Sequence, residues 1–389
     1  LKTQVAIFGG GVAGLWLLNR LRQQNIACVL IENNQLGGGQ SIYSQGIIHS
    51  GVKYALNGKL TVSATAMQAM PDIWRGCLKG EGEIDLSNVA ILSEYQYLWS
   101  PGSLAANVAV FLASKTVKGH ISCLTKTDYP EAFATPNFKG VVYQLEEPVL
   151  AVRSLIDALA TPCLEAIWQA ELHRVERDET KVVMQLKHEN TILDLEAEHV
   201  VLLAGKGNQE LAEKFALTLP KMQLRPLLMV TVTAPYLPIL YAHAMQVSDK
   251  PRITITTHGE GDKTVWYIGG DLAETGVNRT PEQQIQFARQ ELKTLFPHLD
   301  FSMMKFETFF IERAEAVYPS GKKPDGPSMV FEKNVITAWP TKLAFAPLLA
   351  QQIVDQLFQF GVAGRPEATP ISMPSDVAMQ PAIAPYPWS

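Results

Sequence analysis

Val5-Ala6-Ile7-Phe8-Gly9-Gly10-Gly11-Val12-Ala13-Gly14-Leu15 decides the fold class before any other part of the chain is read. Residues 5–8 form a short β-branched and aromatic run, the composition of a buried strand. Gly9, Gly11 and Gly14 follow at the spacing G-x-G-x-x-G. The first glycine permits a tight turn, the second lets the backbone approach a pyrophosphate, and the third lets helix and strand pack closely. Leu15, Leu18 and Leu21 recur at helical spacing over 12–24, so Val12, Ala13 and Gly14 open a helix whose N-terminus faces phosphate charge. Residues 27–31 read as a second strand, and Glu32, with Asn33 beside it, stands at its end. An acid about 20 residues beyond the glycines receives ribose hydroxyls. Strand, glycines, helix, strand and acid in this order predict dinucleotide binding, and the acid disfavours NADP as the primary ligand.

The rest of the composition sets bounds. The 389 residues suffice for a sizeable core in one large or two intertwined domains. With 47% hydrophobic and 18% charged residues the chain reads as soluble and globular. A net charge of −5 and the lack of a basic stripe argue against nucleic acid as a partner. Cys28, Cys77, Cys123 and Cys163 form no CxxC pair and no metal-ligand spacing, which predicts reduced thiols, no metal and a cytoplasmic location. The first apolar stretch runs straight into Gly9-Gly10-Gly11, so no signal peptide is expected. The weakly charged stretch 226–247 is interrupted by Pro235 and Pro238, and Thr231 and Thr233 alternate with apolar neighbours. That pattern predicts strands in a sheet rather than a membrane-contacting surface.

Further along, a loop rich in Gly, Gln and Ser runs from Leu36 to Gly51. Helices are expected at 59–78, 103–114, 152–160, 281–296 and 342–360, the fourth with Pro281 just inside its start. Strands are expected at 140–145, 199–204 and 335–338, with a hairpin of 170–175 and 181–187 around Arg177-Asp178-Glu179-Thr180. From 224 to 270 the β pattern dominates, with 252–257 and 264–268 flanking a turn at His258-Gly259-Glu260-Gly261-Asp262. The tail after Gly364 is rich in proline and expected to be irregular. Strands near the start, near 200 and near 335 share one style, which one parallel sheet assembled from distant pieces explains. The β-rich middle is then an insertion.

The loop Gln40-Ser41-Ile42-Tyr43-Ser44-Gln45-Gly46-Ile47-Ile48-His49-Ser50-Gly51 resembles the flavin loop of the D-amino-acid oxidase-like family. That family includes glycine and sarcosine oxidases, FAD-dependent glycerol-3-phosphate dehydrogenase and L-2-hydroxyglutarate oxidase, and the stretch from Gly46 to Gly51 looks closest to the last two. Glu198-His199-Val200-Val201-Leu202-Leu203-Ala204-Gly205 is similar to the family's strand ending in Ala-Gly under the cofactor. Tyr267-Ile268-Gly269-Gly270-Asp271 resembles its strand before the substrate-domain helix. Arg313 with Pro324-Asp325-Gly326-Pro327 resembles its Arg and Asp-Gly-x-Pro segment, and Ala346-Pro347 its C-terminal flavin-capping helix. Two departures stand out. Twelve positions separate Arg313 from Asp325, where the family has a few, and Trp339-Pro340-Thr341-Lys342-Leu343 replaces a glycine-rich loop.

The resemblance implies FAD as cofactor and an α/β fold. A Rossmann-like FAD-binding domain (1–80, 145–220 and 325–389) would carry an inserted antiparallel β-sheet substrate domain (81–144 and 221–324). It implies oxidation of a small, anionic amino or hydroxy acid by hydride transfer to flavin N5, with oxygen or another electron acceptor. The alternatives are a flavin-binding protein with a diverged or inactive substrate site, or a flavin monooxygenase or reductase. No second G-x-G-x-x-G occurs to serve a nicotinamide. Within the flavin loop, Ser41 can donate to a phosphate, Gly46 can let the backbone approach the ring, and Gln40, Ser44, Gln45 and Ile47 complete the lining. Leu172 matches the adenine-contacting position, or is an ordinary core leucine. Ala204 and Gly205 lie under the cofactor, and Thr341, Lys342 and Leu343 face the flavin N1–C2=O edge. There the Lys342 ammonium would offset charge on the reduced flavin, unless it points to solvent. His49 is a candidate base, a cofactor contact or a structural histidine. Arg313 is a candidate carboxylate anchor or the partner of a neighbouring acid. Tyr267 is a candidate cavity residue or core. Lys322 and Lys323 read as solvated charge, and His258, in its turn, carries no chemistry.

Overall fold

The Lys2–Phe8 strand lies inside an eight-stranded sheet, paired in parallel with Cys28–Glu32 on one side and Thr191–Leu202 on the other. The computed structural model describes residues 1–50, 67–100, 121–218, 221–246, 250–317, 326–365 and 380–389. The expected helix at 103–114, the first part of that at 59–78, and Lys322, Lys323, Pro324 and Asp325 lie outside these residues. Ile167–Gln169 extends the parallel part beyond Cys28–Glu32, and Val335–Trp339 extends it beyond Thr191–Leu202. Ser328–Glu332 closes that edge as an antiparallel strand.

Every residue of Lys2–Phe8 after Lys2 is buried, as a parallel sheet covered on both faces requires. Alternate residues serve opposite layers. Val5, Ile7 and Leu30 share a core with the helices Val12–Gln23, Val152–Ala160 and Ala346–Gln359. Ala6, Phe8, Val29 and Ile31 instead pack with Leu172, Val182, Met184 and Leu186 from the strands Glu171–Arg177 and Val182–His188. Those two strands form the expected hairpin, its turn fixed by Asp178 Oδ1, which accepts from the Thr180 and Lys181 backbone. The expected strand at 199–204 is longer, beginning at Thr191, because its first half pairs antiparallel with Val182–His188 as the third strand of a meander.

The β-rich middle forms a second eight-stranded sheet, in the order Lys305–Ala316, Met222–Ala234, Lys263–Gly269, Ile253–Glu260, Ala242–Ala244, Gln96–Ser100, Val141–Leu145 and Ile121–Cys123. All its pairs are antiparallel except Ala242–Ala244 with Gln96–Ser100. The Pro281–Leu295 helix lays Ala288 and Leu292 against Val230, Val232 and Trp266 of this sheet. A capping box of Thr280 and Gln283 satisfies the first backbone donors of that helix.

Two expectations need correction here. His258 is in the buried strand Ile253–Glu260, not in a turn, because the reversal tightens to Gly261-Asp262. The final helix begins at Ala346 rather than 342, since Thr341 is left-handed (φ 61°) and Lys342 extended before a short 3-10 turn at Leu343–Phe345. Lys305–Ala316 is a strand that no sequence pattern marks, since this edge strand carries several charged residues and has no clean alternation. The stretch 226–247 does hold strands, and among the described residues no helix is long and apolar enough to cross a membrane. The tail residues 380–389 form no helix, but Tyr386 and Trp388 pack beside His258, with the Trp388 and His258 rings 4.6 Å apart.

Candidate active site

A cavity of about 1580 Å³ runs from the Gly9–Gly11 turn, past the flavin-like loop, to the second sheet. Gly9, Gly11, Val12, Ala13, Glu32, Asn33, Gln40, Ser41, Ser44, Gln45, Gly46, Ile47, Leu172, Ala204, Gly205, Thr341, Lys342 and Leu343 all line it, as do His49 and Arg313. Gly14 and Tyr267 do not.

The glycine turn has two kinds of constraint. Gly9 sits at φ 112°, and a Cβ there would lie 2.5 Å from the Leu203 carbonyl oxygen. A Cβ on Gly14 would lie 2.0 Å from the Gly9 carbonyl oxygen. These two glycines are demanded by the chain's own packing. Gly11 is different: a Cβ there meets only Ser41 Oγ, at 3.1 Å, so its bareness keeps cavity space open. Ser41 Oγ accepts from the Val12 backbone N–H at 3.0 Å, which places a hydroxyl at the start of the helix, where an anionic group is favoured. Glu32 is held at the strand end by the Gly10 and Asn34 backbone N–H groups, at 2.7 and 2.9 Å. Burial raises its pKa and these backbone bonds oppose the rise.

Along the flavin-like loop the structure redistributes several expected roles. Gly46, at φ 71°, is required by the Leu150 carbonyl, 2.1 Å from where its Cβ would be. Gln45 Nε2 donates to the Tyr267 and Thr254 carbonyls, tying the loop to the second sheet. Gln40 Oε1 accepts from the Ala314 backbone N–H at 2.9 Å and so holds the strand that carries Arg313. Lys214 donates to the Leu172 carbonyl, and Trp339 Nε1 to that of Gly205. Thr341 takes the left-handed backbone that a glycine would adopt without strain, its Oγ1 donating to the Gly326 carbonyl. Lys342 Nζ lies 3.7 Å from Met67 Sδ.

Two polar atoms of the cavity wall are buried with no hydrogen-bond partner among the described residues: Ser44 Oγ and Arg313 Nε. With the open face at Gly11 and the acid at Glu32, the wall fits a dinucleotide flavin.

Arg313 stands directly opposite Arg225 across the antiparallel pair, and both line the cavity. Like charges in that register repel, and each is offset by its own carboxylate. Arg313 Nη2 is 3.4 Å from Glu274 Oε1, and Arg225 Nη1 is 3.4 Å from Glu315 Oε2. Lys250 also pairs with Glu274. Burial would raise the Glu274 pKa, but the Lys250 hydrogen bond and the Arg313, Lys250 and Arg225 charges outweigh it and lower the value. His49 Nδ1 lies 3.4 Å from Glu147 Oε2, and its ring stacks on that of His243, with centroids 5.5 Å apart. Tyr267 is fully buried, its hydroxyl donating to the Tyr43 carbonyl, and desolvation drives its pKa up. A tyrosine so placed braces the loop from behind the cavity wall. Arg225, Lys250, Glu274, Glu147 and His243 escaped the sequence reading. Arg225, an isolated charge in the apolar run Leu224-Arg225-Pro226-Leu227-Leu228, carried a signal that could have found it.

Residues 4–355 match the family model described as FAD dependent oxidoreductase. The chain is 42% identical, over 385 residues, to a probable FAD-dependent oxidoreductase of Pseudomonas aeruginosa, with 98% of this chain and 97% of the relative covered. The crystal structure of an FAD-dependent oxidoreductase from Pseudomonas aeruginosa superposes with a TM-score of 0.85 at 37% identity, covering 100% of this chain and 98% of that one. Glycine oxidase from Geobacillus kaustophilus gives a TM-score of 0.67 at 16% identity, over 92% of this chain and 95% of that one. FAD-bound L-alpha-glycerophosphate oxidase from Mycoplasma pneumoniae gives 0.69 at 12%, over 96% and 99%. These last two similarities are of fold.

Proposed function

Because this chain belongs to the family of FAD dependent oxidoreductases, we propose that it oxidises a small, anionic amino or hydroxy acid. FAD, when bound, supplies the redox chemistry by accepting a hydride from the substrate carbon at flavin N5, and its electrons pass on to oxygen or another acceptor. Gly9, Gly11, Val12, Ala13 and Ser41 hold the pyrophosphate, while Gly14 sets the helix against the turn. Glu32 and Asn33 hold the ribose, and Leu172 borders the adenine. Gln40, Ser44, Gln45, Gly46, Ile47, Ala204, Gly205, Thr341, Lys342 and Leu343 surround the flavin. The discontinuous cofactor domain and inserted substrate domain divide as the sequence suggests, and the enzyme works in the cytoplasm.

The observation that carries the reading is the cross-strand pair Arg225 and Arg313 in the cavity wall. Arg313, in the cavity lining, receives the substrate carboxylate through its guanidinium. His49, also in the cavity lining, takes the proton from the substrate O–H or N–H as the carbon gives up its hydride. The product is then a keto acid or an imino acid, and the proton on His49 leaves to solvent.

An anaerobic screen tests this reading. Glycine, sarcosine, D-alanine, L-lactate and L-2-hydroxyglutarate are added separately to the FAD-loaded protein, and absorbance is followed at roughly 450 nm, the flavin's own band. At least one should bleach it. Bleaching by dithionite but by none of the five acids would overturn the proposal.

A further inference from the structure

The Ile48 backbone N–H donates to the Pro148 carbonyl at 3.0 Å, and that of Leu150 to Gly46 at 2.9 Å. The flavin loop and the segment around Glu147 therefore run side by side, although His49 and Glu147 are 98 positions apart. The Glu147 side chain is 3% exposed. Its Oε1 accepts from both the backbone N–H and the hydroxyl of Ser50, at 2.7 and 2.5 Å. Its Oε2 faces His49 Nδ1 at 3.4 Å. This is longer than a tight hydrogen bond, and catalytic contacts of this kind close up when substrate fills the site.

We propose that Glu147 is the positioning residue for His49: it holds the proton on Nδ1, which makes Nε2 the nitrogen that accepts the substrate proton. The inference rests on the reading of His49 as the base. An ionised carboxylate can only accept, so the imidazole nitrogen facing it must be the N–H, and the far nitrogen carries the lone pair. The same carboxylate stabilises the imidazolium formed once the proton arrives. His243, stacked on His49, steadies the ring face. The ligand atoms of His49, Glu147 and His243 lie within 4.8 Å of one another, a spacing that a cation could also use. However, both His243 ring nitrogens already face protein partners, Gln96 Nε2 at 2.8 Å and Thr254 Oγ1 at 2.7 Å. The cluster is thus arranged to hold protons in place.

Glu147→Gln is the informative substitution. It keeps the shape and an acceptor for Ser50, but its amide N–H₂ can donate where Oε2 accepted, which reverses the His49 tautomer. The FAD-loaded protein is labelled with ¹⁵N in its histidine rings, and His49 is assigned by loss of its signals in His49→Asn. In the parent, Nδ1 should carry the proton. In Glu147→Gln the proton should move to Nε2, while Glu147→Asp should restore the parental pattern. Ser50→Ala, which removes the hydroxyl bond from Ser50 to the carboxylate, should give a mixture of tautomers. Reduction of the flavin by whichever of the five acids bleaches the parent should slow about 100-fold in Glu147→Gln. It should slow no further when Glu147→Gln is added to His49→Asn. An unchanged His49 tautomer in both Glu147→Gln and Ser50→Ala overturns the proposal. If no acid bleaches the parent, the substrate reading fails, and the tautomer still decides the role of Glu147.

Discussion

At the scale of single residues, His258 shows how burial alone changes chemistry. Desolvation lowers its pKa to about 4, and it packs among Tyr267, Tyr386 and Trp388 as a neutral ring, with Nε2 3.0 Å from Thr256 Oγ1. Because the folded-state value is depressed, the unfolded chain takes up the proton first as pH falls. The stability due to the neutral ring is therefore complete above pH ~6.5 and is lost as pH drops toward ~4. The difference amounts to about 3 kcal/mol. Chemical unfolding measured across this range should show the loss in the parent and a flatter profile in His258→Phe. Equal slopes in the two proteins would mean that His258 is protonated without cost in the fold. Residue identity was legible here, but its setting was not, since the packing comes from a tail segment about 130 positions away that no local pattern announces.

At the scale of elements, the glycine fingerprint separates into fold and ligand parts. A Cβ at Gly14 strikes the Gly9 carbonyl, whereas one at Gly11 meets only Ser41 Oγ. Gly14→Ala should cost about 1–3 kcal/mol by overpacking, seen as a lower melting temperature of the apoprotein. Gly11→Ala should leave that temperature nearly unchanged and weaken FAD binding in a fluorescence titration. If both variants lose FAD affinity and apoprotein stability to the same degree, Gly11 and Gly14 do not serve separate roles. The opening strand, helix and strand were legible because local periodicity, glycine spacing and a terminal acid coincide within 32 residues. Thr341 was not legible as a turn residue, since a left-handed threonine is held by its surroundings, here the Gly326 carbonyl, rather than by its own preference.

At the scale of the whole molecule, the two sheets divide the labour. The parallel sheet presents the glycine turn and Glu32, and the antiparallel sheet presents Arg225 and Arg313. Gln40 and Gln45 connect them, the first to Ala314 and the second to Tyr267 and Thr254. The sequence indicated both sheets and the cofactor end of the cavity. Arg313 and His49 were legible at the other end, but their partners were not, because those are set by strand register: Arg225 meets Arg313 only through the pairing of Met222–Ala234 with Lys305–Ala316.

The anion site proposed at this arginine wall is tested by titration with a carboxylate that cannot be oxidised there. Pyruvate is added to the FAD-loaded parent and to Arg313→Lys while the flavin absorption band is recorded. A saturable perturbation of the band is expected in the parent, with an affinity at least about tenfold weaker in Arg313→Lys, which keeps the charge but loses the fork. No perturbation in the parent, or the same affinity in both proteins, would contradict it.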